Sequence, residues 1–319
     1  MHRPHARRLR RLVDADPWPL RSLAWWAATA AVAAAVGVTA APAATADDRV
    51  AAASACLEPD PILATTQFAR GAHPDKPAVV SFRRGATTPV RPLAAQRDVG
   101  AAYGLAFDPS TQRLYAAAYH KRGAPFGPAG PGAIYAIDIR SSVASLWLTV
   151  PNAGVDGHDP AGGHFPDAAG RGAVGRTGLG DIDLTPDGRE LFVTNLADRQ
   201  IYRYRTEDGA LLGTLPHGAA TTSWSVDARP FGLAVTADTL YHGVVASAER
   251  SQLPGELEAR VYASSLDGAG MREVVRFPLA FERGVVDHPA RVPARWRPWN
   301  DRFEFTPGPT PGTGWNINP

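Results

Sequence analysis

Residues 179–205 read LGDIDLTPDGRELFVTNLADRQIYRYR. A short apolar run leads into a Pro-Asp-Gly turn, a second apolar run follows, and a third run with alternating aromatic residues comes after a short polar loop. Pro-Asp-Gly is a signal for a tight turn, and alternation of side-chain character is typical of strands with two distinct faces. The stretch therefore predicts three consecutive antiparallel β-strands.

The same pattern occurs twice more, so the stretch belongs to an internal repeat. The matching first halves are GLAFDPSTQRLYAAAY (104–119) and FGLAVTADTLYHGVV (231–245). Each of the three copies continues with an aromatic-bearing run and then a fourth run, at 133–138 and 145–150, 200–205 and 210–215, and 260–265 and 272–277. Four antiparallel strands repeated every few tens of residues indicate a β-propeller blade. A β-sandwich, which also has short strands at regular spacing, is the alternative.

We therefore predict an all-β chain, a β-propeller of four-stranded antiparallel blades with an incomplete ring of about three to four blades. The expected division is a signal peptide (1–46), a lead-in or partial blade (47–95), the blades (96–290) and a tail rich in Pro, Gly and Trp (291–319). In that tail, Trp296, Trp299 and Trp315 either pack on the blades or form a carbohydrate platform.

The first 46 residues have the pattern of a secretory signal. Six arginines lie before the apolar stretch LAWWAATAAVAAAVGVTA (23–40). Ala44-Thr45-Ala46, which follows this stretch, has the small residues of a signal-peptidase cleavage site. The alternative is an uncleaved membrane anchor, since the apolar run of 18 residues can span a bilayer. We expect a secreted or cell-surface protein that meets the membrane only through this segment.

The charge and the cysteine content argue against nucleic-acid binding and exclude an intrachain disulfide. Removal of the segment takes away six positive and two negative charges and changes the formal net charge from +2 to −2. No basic stripe remains, so we expect no nucleic-acid binding. The single cysteine, Cys56, excludes an intrachain disulfide, and the sequence contains no P-loop, nucleophile elbow or dinucleotide fingerprint.

Four long stretches resemble the N-terminal propeller-like region of large bacterial secreted or surface proteins, which often carry serine-aspartate-repeat-type B domains downstream. The stretches are 103–139, 174–204, DARPFGLAV (227–235) and RPWNDRF (297–303), and the likeness covers about 99–303. The resemblance implies export, a propeller and a role at the cell surface. The sequence departs from the pattern by stopping near Pro319, without the later blades, the B-type repeats or an anchoring segment. Either segments without a recognisable pattern close the ring, or the chain is part of a longer protein, which is the interpretation we favour.

Asp181 and Asp183 are the first candidate site. Alternation places both carboxylates on one face of the first strand, at positions where the other copies carry Gly104 and Ala106, or glycine and alanine again. Buried carboxylates need an ion partner or a metal. The expected arrangement is an ion pair between blades with Arg199 and Arg229; a Ca²⁺ site is the alternative.

The second candidate lies in GHDPAGGHFPD (157–167), inside a long Gly-rich insertion between the first two copies. His158, Asp159, His164 and Asp167 are predicted to form a ligand-contact loop, because long surface loops often carry function. Their spacing is not a zinc signature, and a metal site is the alternative to a solvated loop.

We predict an exported, non-catalytic module that binds an extracellular protein or a glycan, or that supports a larger surface protein. No cofactor is required by this interpretation. The alternative is an enzyme, a propeller hydrolase of the lactonase type with a Ca²⁺ ion in the channel. An enzyme would need three or more carboxylate or amide side chains that meet on the ring axis, and fold alone does not decide between the two.

Overall fold

The computed structural model describes residues 61–83, 90–158, 167, 169–285 and 293–300. The expected signal segment and Cys56 lie outside these residues, as do Asp159, His164 and Trp315. All described residues belong to one compact unit, Val50–Pro319.

The described residues form three four-stranded antiparallel sheets, preceded by a three-stranded sheet and followed by a two-stranded one. The N-terminal sheet consists of β1 (Ile62–Thr66), β2 (Pro77–Arg83) and β3 (Arg91–Ala95), and a short helix α1 (Gln96–Val99) follows it. The first blade consists of β4 (Ala102–Asp108), β5 (Arg113–Ala118), β6 (Ala133–Asp138) and β7 (Val143–Thr149). The second blade consists of β8 (Leu179–Leu184), β9 (Glu190–Asn195), β10 (Gln200–Arg205) and β11 (Leu211–Pro216). The third blade consists of β12 (Ala228–Val235), β13 (Thr239–Ala246), β14 (Glu258–Ser265) and β15 (Arg272–Pro278). The last sheet pairs β16 (Glu282–Val285) with β17 (Pro293–Arg295). Short 3-10 helices span Gly170–Ala173, Ser225–Asp227 and Pro254–Glu256.

The strand order in each blade follows the chain, as in a propeller blade. First strands lie together, since β4 contacts β8 and β8 contacts β12. The fourth strands are the most exposed, and every residue of β15 is exposed to solvent. The predicted all-β fold with four-stranded antiparallel propeller blades is confirmed.

Each first strand carries a β-bulge at the same place in its ladder, which fixes how the copies align. The register with the second strand shifts between Ala102 and Leu105, between Leu179 and Ile182, and between Pro230 and Leu233. Gly104, Asp181 and Gly232 therefore occupy equivalent positions. This is the alignment that the sequence repeat predicts.

Both faces of the first and second blades are buried by neighbouring sheets. In β6, Ile134 and Ala136 pack into a core shared with the second blade, whereas Tyr135 and Ile137 pack into a core shared with the N-terminal sheet. A further core, which contains Phe192 of the second blade and Leu240 of the third, joins the next pair of sheets. Since a single four-stranded sheet cannot cover its two apolar faces, side-by-side packing stabilises all three blades.

Aspartates close the hairpin turns. The Asp108 carboxylate accepts hydrogen bonds from the backbone N–H and hydroxyl groups of Ser110 and Thr111. Burial alone would raise the pKa of Asp108, but these hydrogen bonds outweigh it and lower the pKa. In the Pro-Asp-Gly turn of the second blade, Gly188 has a φ of +69°, a conformation that glycine adopts without strain.

Candidate functional site

The two aspartates of β8 lie at the seam between the second and third blades. Asp181 Oδ2 accepts a hydrogen bond of 3.1 Å from the backbone N–H of Leu233, and Asp183 Oδ2 accepts one of 2.7 Å from that of Val235. On the opposite face of β8, Ile182 packs into the core shared with the first blade. The two carboxylates are therefore used as acceptors for the free edge of β12.

Burial raises the pKa of Asp181, even though the hydrogen bonds from Leu233 and Ile182 act in the opposite direction. The charge of Asp183 adds a smaller upward effect on that pKa. A buried carboxylate can be held without a cation where backbone N–H groups replace its lost hydration.

Arg199 and Arg229, which the sequence predicted as ion partners of these aspartates, contact other groups. Arg229 forms a salt bridge with Glu249, which also pairs with Arg176. The guanidinium groups of Arg229 and Arg176 both lie over the ring of Trp299, at 5.5 and 5.6 Å from its centroid. Arg199 donates hydrogen bonds to the carbonyl groups of Ser225 and Val226.

A polar network joins the second and third blades to the chain after β17. It consists of Arg176, Arg199, Arg229, Glu249 and Trp299. Trp299 is buried, and its backbone N–H donates to the carbonyl of Ser247, so this part of the tail packs on the third blade. Burial lowers the pKa of Arg199, and the nearby charge of Arg229 adds to that effect. Arg199 and Arg229 were predicted to pair with Asp181 and Asp183, but Arg199 contacts backbone carbonyls and Arg229 contacts Glu249.

A third cluster forms around the start of the insertion. One ligand atom from each of His120, Asp156 and His158 lies within 4.8 Å of the other two. The rings of His120 and His158 stack at a centroid distance of 4.2 Å with planes 6° apart. The ring of Phe126 packs edge-on against both imidazoles. We refer to His120, Asp156 and His158 as the His–Asp cluster.

His120 is the buried member of the His–Asp cluster. It is 0% exposed, and neither ring nitrogen has a hydrogen-bond partner. Burial lowers the pKa of His120 to about 4, with a contribution from His158. The ring is therefore neutral at pH 7.

Asp167 lies beside the cluster and is also buried. Its carboxylate accepts hydrogen bonds from the backbone N–H groups of Gly123, at 2.6 Å, and Gly170, at 3.1 Å. Its Oδ2 is 3.8 Å from His158 Nε2. Two of the four predicted ligand-contact residues, His158 and Asp167, are thus close together; the other two, Asp159 and His164, lie outside the described residues.

Sequence reasoning missed His120 and Asp156. Asp156 precedes His158 by two positions, which is a short-range signal that could have been noticed. His120 follows the apolar strand β5 at a distance of 38 residues in the chain from His158, and no spacing motif connects them. Only the fold brings them together.

An aromatic cluster lies where the first strands meet. Tyr103 of β4 and Phe231 of β12 occupy equivalent bulge positions, and their rings meet edge-on at 4.8 Å. The equivalent residue between them is Gly180, whose hypothetical Cβ would lie 3.0 Å from the Phe231 carbonyl oxygen. Tyr119 and Phe68 extend the cluster, and Tyr103 and Phe68 remain 47% and 36% exposed.

Among the described residues, no helix combines the length and the apolar character needed to cross a bilayer.

Comparison with known proteins gives limited similarity. No family model matches the chain. The chain is 27% identical over 247 residues to Colossin-A of Dictyostelium discoideum, a match that covers 72% of this chain and 2% of that protein. It is 25% identical over 262 residues to Colossin-C of the same organism, covering 74% of this chain and 26% of that protein. The chain thus spans only a small part of these curated relatives.

Two solved structures show partial similarity to the fold. A chain in a crystal structure of a nidogen/laminin complex superposes with a TM-score of 0.38 and 13% identity, over 70% of this chain and 65% of that chain. An ancestral GH74 enzyme superposes with a TM-score of 0.37 and 12% identity, over 66% of this chain and 25% of that chain.

Proposed function

We propose that the chain is an exported, non-catalytic propeller module that binds an extracellular protein or glycan, or that supports a larger surface protein. The observation that carries the proposal is the use of Asp181 and Asp183. Their carboxylates accept hydrogen bonds from the backbone of the third blade. Groups committed to holding two blades together are poorly placed to bind a catalytic Ca²⁺ ion as well.

The neighbouring first strands support this view. The positions equivalent to Asp181 and Asp183 are occupied by Gly104 and Ala106 in the first blade. Within the described part of the chain, no third acidic or histidine side chain groups with Asp181 and Asp183 to complete a set of ligands, and Asp108 of β4 accepts hydrogen bonds in its own turn. A lactonase-type reaction would need such a set together with a base.

The relatives support a module inside longer proteins. The matched segment is 2% of Colossin-A and 26% of Colossin-C. The resemblance to N-terminal regions of large secreted or surface proteins points in the same direction. The basic, apolar and small-residue pattern of residues 1–46 supports export.

The aromatic cluster is the surface that we assign to a partner. Aromatic side chains with one face in solvent provide large contact area for glycans and proteins. Tyr103 and Phe68 are the exposed members, and Lys121 places its ammonium group 5.1 Å from the centroid of the Phe68 ring. The long insertion that contains His158 is the second contact surface in this proposal.

The decisive experiment asks whether Asp181 and Asp183 support Ca²⁺-dependent hydrolysis or only hold the blades together. Purified chain is assayed for hydrolysis of a panel of lactones with ~5 mM Ca²⁺ and with EDTA, since ~5 mM lies above the Kd of about 0.1–1 mM of extracellular Ca²⁺ sites. We expect no hydrolysis above buffer in either condition. Ca²⁺-dependent hydrolysis that is lost in both Asp181→Asn and Asp183→Asn, with folding intact, would contradict the proposal and favour the enzyme.

Export is tested separately. Intact cells and culture medium of the producing organism are probed with an antibody to the blades, and the recovered protein is sequenced from its N-terminus. We expect the protein outside the cell with Asp47 as its first residue. Retention inside the cytoplasm with residues 1–46 intact would contradict an extracellular role.

A further inference from the structure

The His–Asp cluster has the composition of a transition-metal site. It joins the loop after β5, through His120, to the start of the insertion, through Asp156 and His158. We propose that His120, Asp156 and His158 bind one Zn²⁺ ion, with the remaining coordination position open to solvent on the side of Asp156.

The imidazole of His120 is buried without polar partners. A polar side chain that is fully buried without a hydrogen-bond partner destabilises the fold, because it has lost its hydration without replacement. Both ring nitrogens of His120 are in that state. A metal ion bound by one of them removes much of this cost, and the neutral ring is the form that binds metals.

His158 lies between two hydrogen-bond acceptors. Its Nδ1 lies 2.6 Å from Asp156 Oδ1, and its Nε2 lies 3.0 Å from the carbonyl oxygen of Lys121. A neutral imidazole has a single N–H and can donate to only one of these oxygens. If Nε2–H donates to the carbonyl, Nδ1 and the carboxylate together form a pair of donors for a cation.

The three donor groups of the His–Asp cluster match the ligand preference of Zn²⁺. Two imidazoles and one carboxylate are ligands that Zn²⁺ takes, commonly with a water in the fourth position. Ca²⁺ requires six to eight oxygen ligands and is disfavoured by the two nitrogens. The donor atoms lie within 4.8 Å of one another. Ligands of a tetrahedral Zn²⁺ with ~2.1 Å bonds are roughly 3.4 Å apart. Because an imidazole binds a metal in the plane of its ring, binding requires the stacked rings of His120 and His158 to turn out of their parallel arrangement.

The surroundings are those of a supported metal site. Asp167 lies 3.8 Å from His158 Nε2 and is fixed by the backbone N–H groups of Gly123 and Gly170. A ligating histidine usually donates its other ring N–H to an oxygen that orients the ring, and the Lys121 carbonyl, 3.0 Å from His158 Nε2, is in that position. Phe126 shields the two imidazoles, whereas the Asp156 side chain is 51% exposed and leaves a path for the ion.

The proposal is tested by titration of the untagged full chain with Zn²⁺ in isothermal calorimetry. The variants are His158→Ala and Asp156→Ala, both at side chains in contact with solvent, and the matched control is His73→Ala, an exposed histidine outside the cluster. We expect one Zn²⁺ per wild-type chain. Affinity should fall at least about 100-fold in His158→Ala and about 10-fold in Asp156→Ala, and should be unchanged in His73→Ala.

Two further readouts separate a metal site from a structural role. Co²⁺ bound in place of Zn²⁺ should give visible absorption bands in wild type and none in His158→Ala. Zn²⁺, but not Ca²⁺, should raise the Tm of wild type and leave that of His158→Ala unchanged. Absence of Zn²⁺ binding by the wild type, or wild-type affinity in either cluster variant, would overturn the assignment.

Discussion

The carboxylate of Asp183 on β8 accepts a hydrogen bond of 2.7 Å from the backbone N–H of Val235 on β12. Asp181 makes the same contact with Leu233, two residues earlier on both strands. Because alternate residues of a strand point to the same side, two acceptors spaced by two residues match two donors spaced by two residues. The pair therefore joins the second blade to the third along the free edge of β12.

Removal of one acceptor should weaken this seam. Asp183→Ala leaves the N–H of Val235 without its partner, and hydrogen bonds to charged groups contribute about 1.5–3 kcal/mol. We expect the free energy of unfolding to fall by about 2 kcal/mol in urea titrations. Asp183→Asn, which keeps an acceptor oxygen without the charge, should lose less.

Glu207→Ala is the matched control, because Glu207 is an exposed acidic residue in the turn after β10. It should change the free energy of unfolding by less than about 0.5 kcal/mol. Addition of EDTA should leave the wild-type Tm unchanged. A Tm that falls with EDTA and is restored by Ca²⁺ would instead favour a cation between the two aspartates.

Two buried histidines of the third blade region should make stability depend on pH. Burial lowers the pKa of His242 to about 4, with a smaller effect of His217, and burial also lowers the pKa of His217 to about 4, with a smaller effect of Arg199. The folded protein thus favours neutral rings, whereas unfolded histidines take up protons below pH ~6.5. Stability is full above pH 6.5 and falls as the pH drops from 6.5 to about 4, by at most roughly 3 kcal/mol for each ring.

Urea titrations between pH 7.5 and pH 4.5 measure this effect. His242→Gln should reduce the loss of stability over the interval, since one proton-binding group is removed. The free energy of unfolding of this variant at pH 7.5, compared with wild type, also measures the loss of the hydrogen bond of 3.1 Å that His242 Nε2 accepts from the Gly218 N–H. If wild type and variant lost the same stability between these pH values, the role assigned to His242 would be wrong.

Glu249 should contribute more than an ordinary surface ion pair. It pairs with both Arg176 and Arg229, so Glu249→Gln removes the one negative charge that both guanidinium groups contact. Loss of one partner from a buried pair costs about 3–5 kcal/mol, and we expect about 2 kcal/mol because the Glu249 side chain is 26% exposed. Added sulfate should recover part of this loss by screening the arginines.

The comparison is Asp75→Asn, which removes the exposed pair with Arg97. That change should cost less than about 1 kcal/mol, with no recovery by sulfate. Equal effects at Glu249 and Asp75 would show that the network around Trp299 is no more than a surface contact.

Strands with strong alternation could be predicted from the sequence almost to the residue. The runs at 133–138 and 200–205 coincide with β6 and β10. Alternation succeeds there because each face of the strand packs against a different neighbour. The N-terminal sheet was only partly recognised, since β1 and β3 are short, and Arg91 and Pro92 at the start of β3 are exposed. The hairpin of β16 and β17 has no repeat to reveal it.

The partners of site residues were harder to predict than their positions. The sequence places Asp181 and Asp183 on one face, as observed, but does not indicate that backbone N–H groups face them. Every residue except proline has a backbone N–H, so residue type does not indicate which of these groups will face a carboxylate. Arg229 was predicted to pair with Asp181 or Asp183, but its observed partner is Glu249, which the loop between β13 and β14 brings close. His120 was missed for the same reason.

The central claim is that the blades pack side by side through their first strands, and the pair Gly104 and Gly232 tests it most directly. These glycines are equivalent, but a Cβ on Gly104 would lie 2.7 Å from the Ile182 backbone nitrogen, whereas a Cβ on Gly232 would have no neighbour within 4 Å. The measurement is the free energy of unfolding of Gly104→Ala and of Gly232→Ala. We predict a loss of about 2–3 kcal/mol for the first, since backbone atoms cannot move aside cheaply, and a change within about 0.5 kcal/mol for the second. Equal effects of the two substitutions, or a harmless Gly104→Ala, would contradict the account.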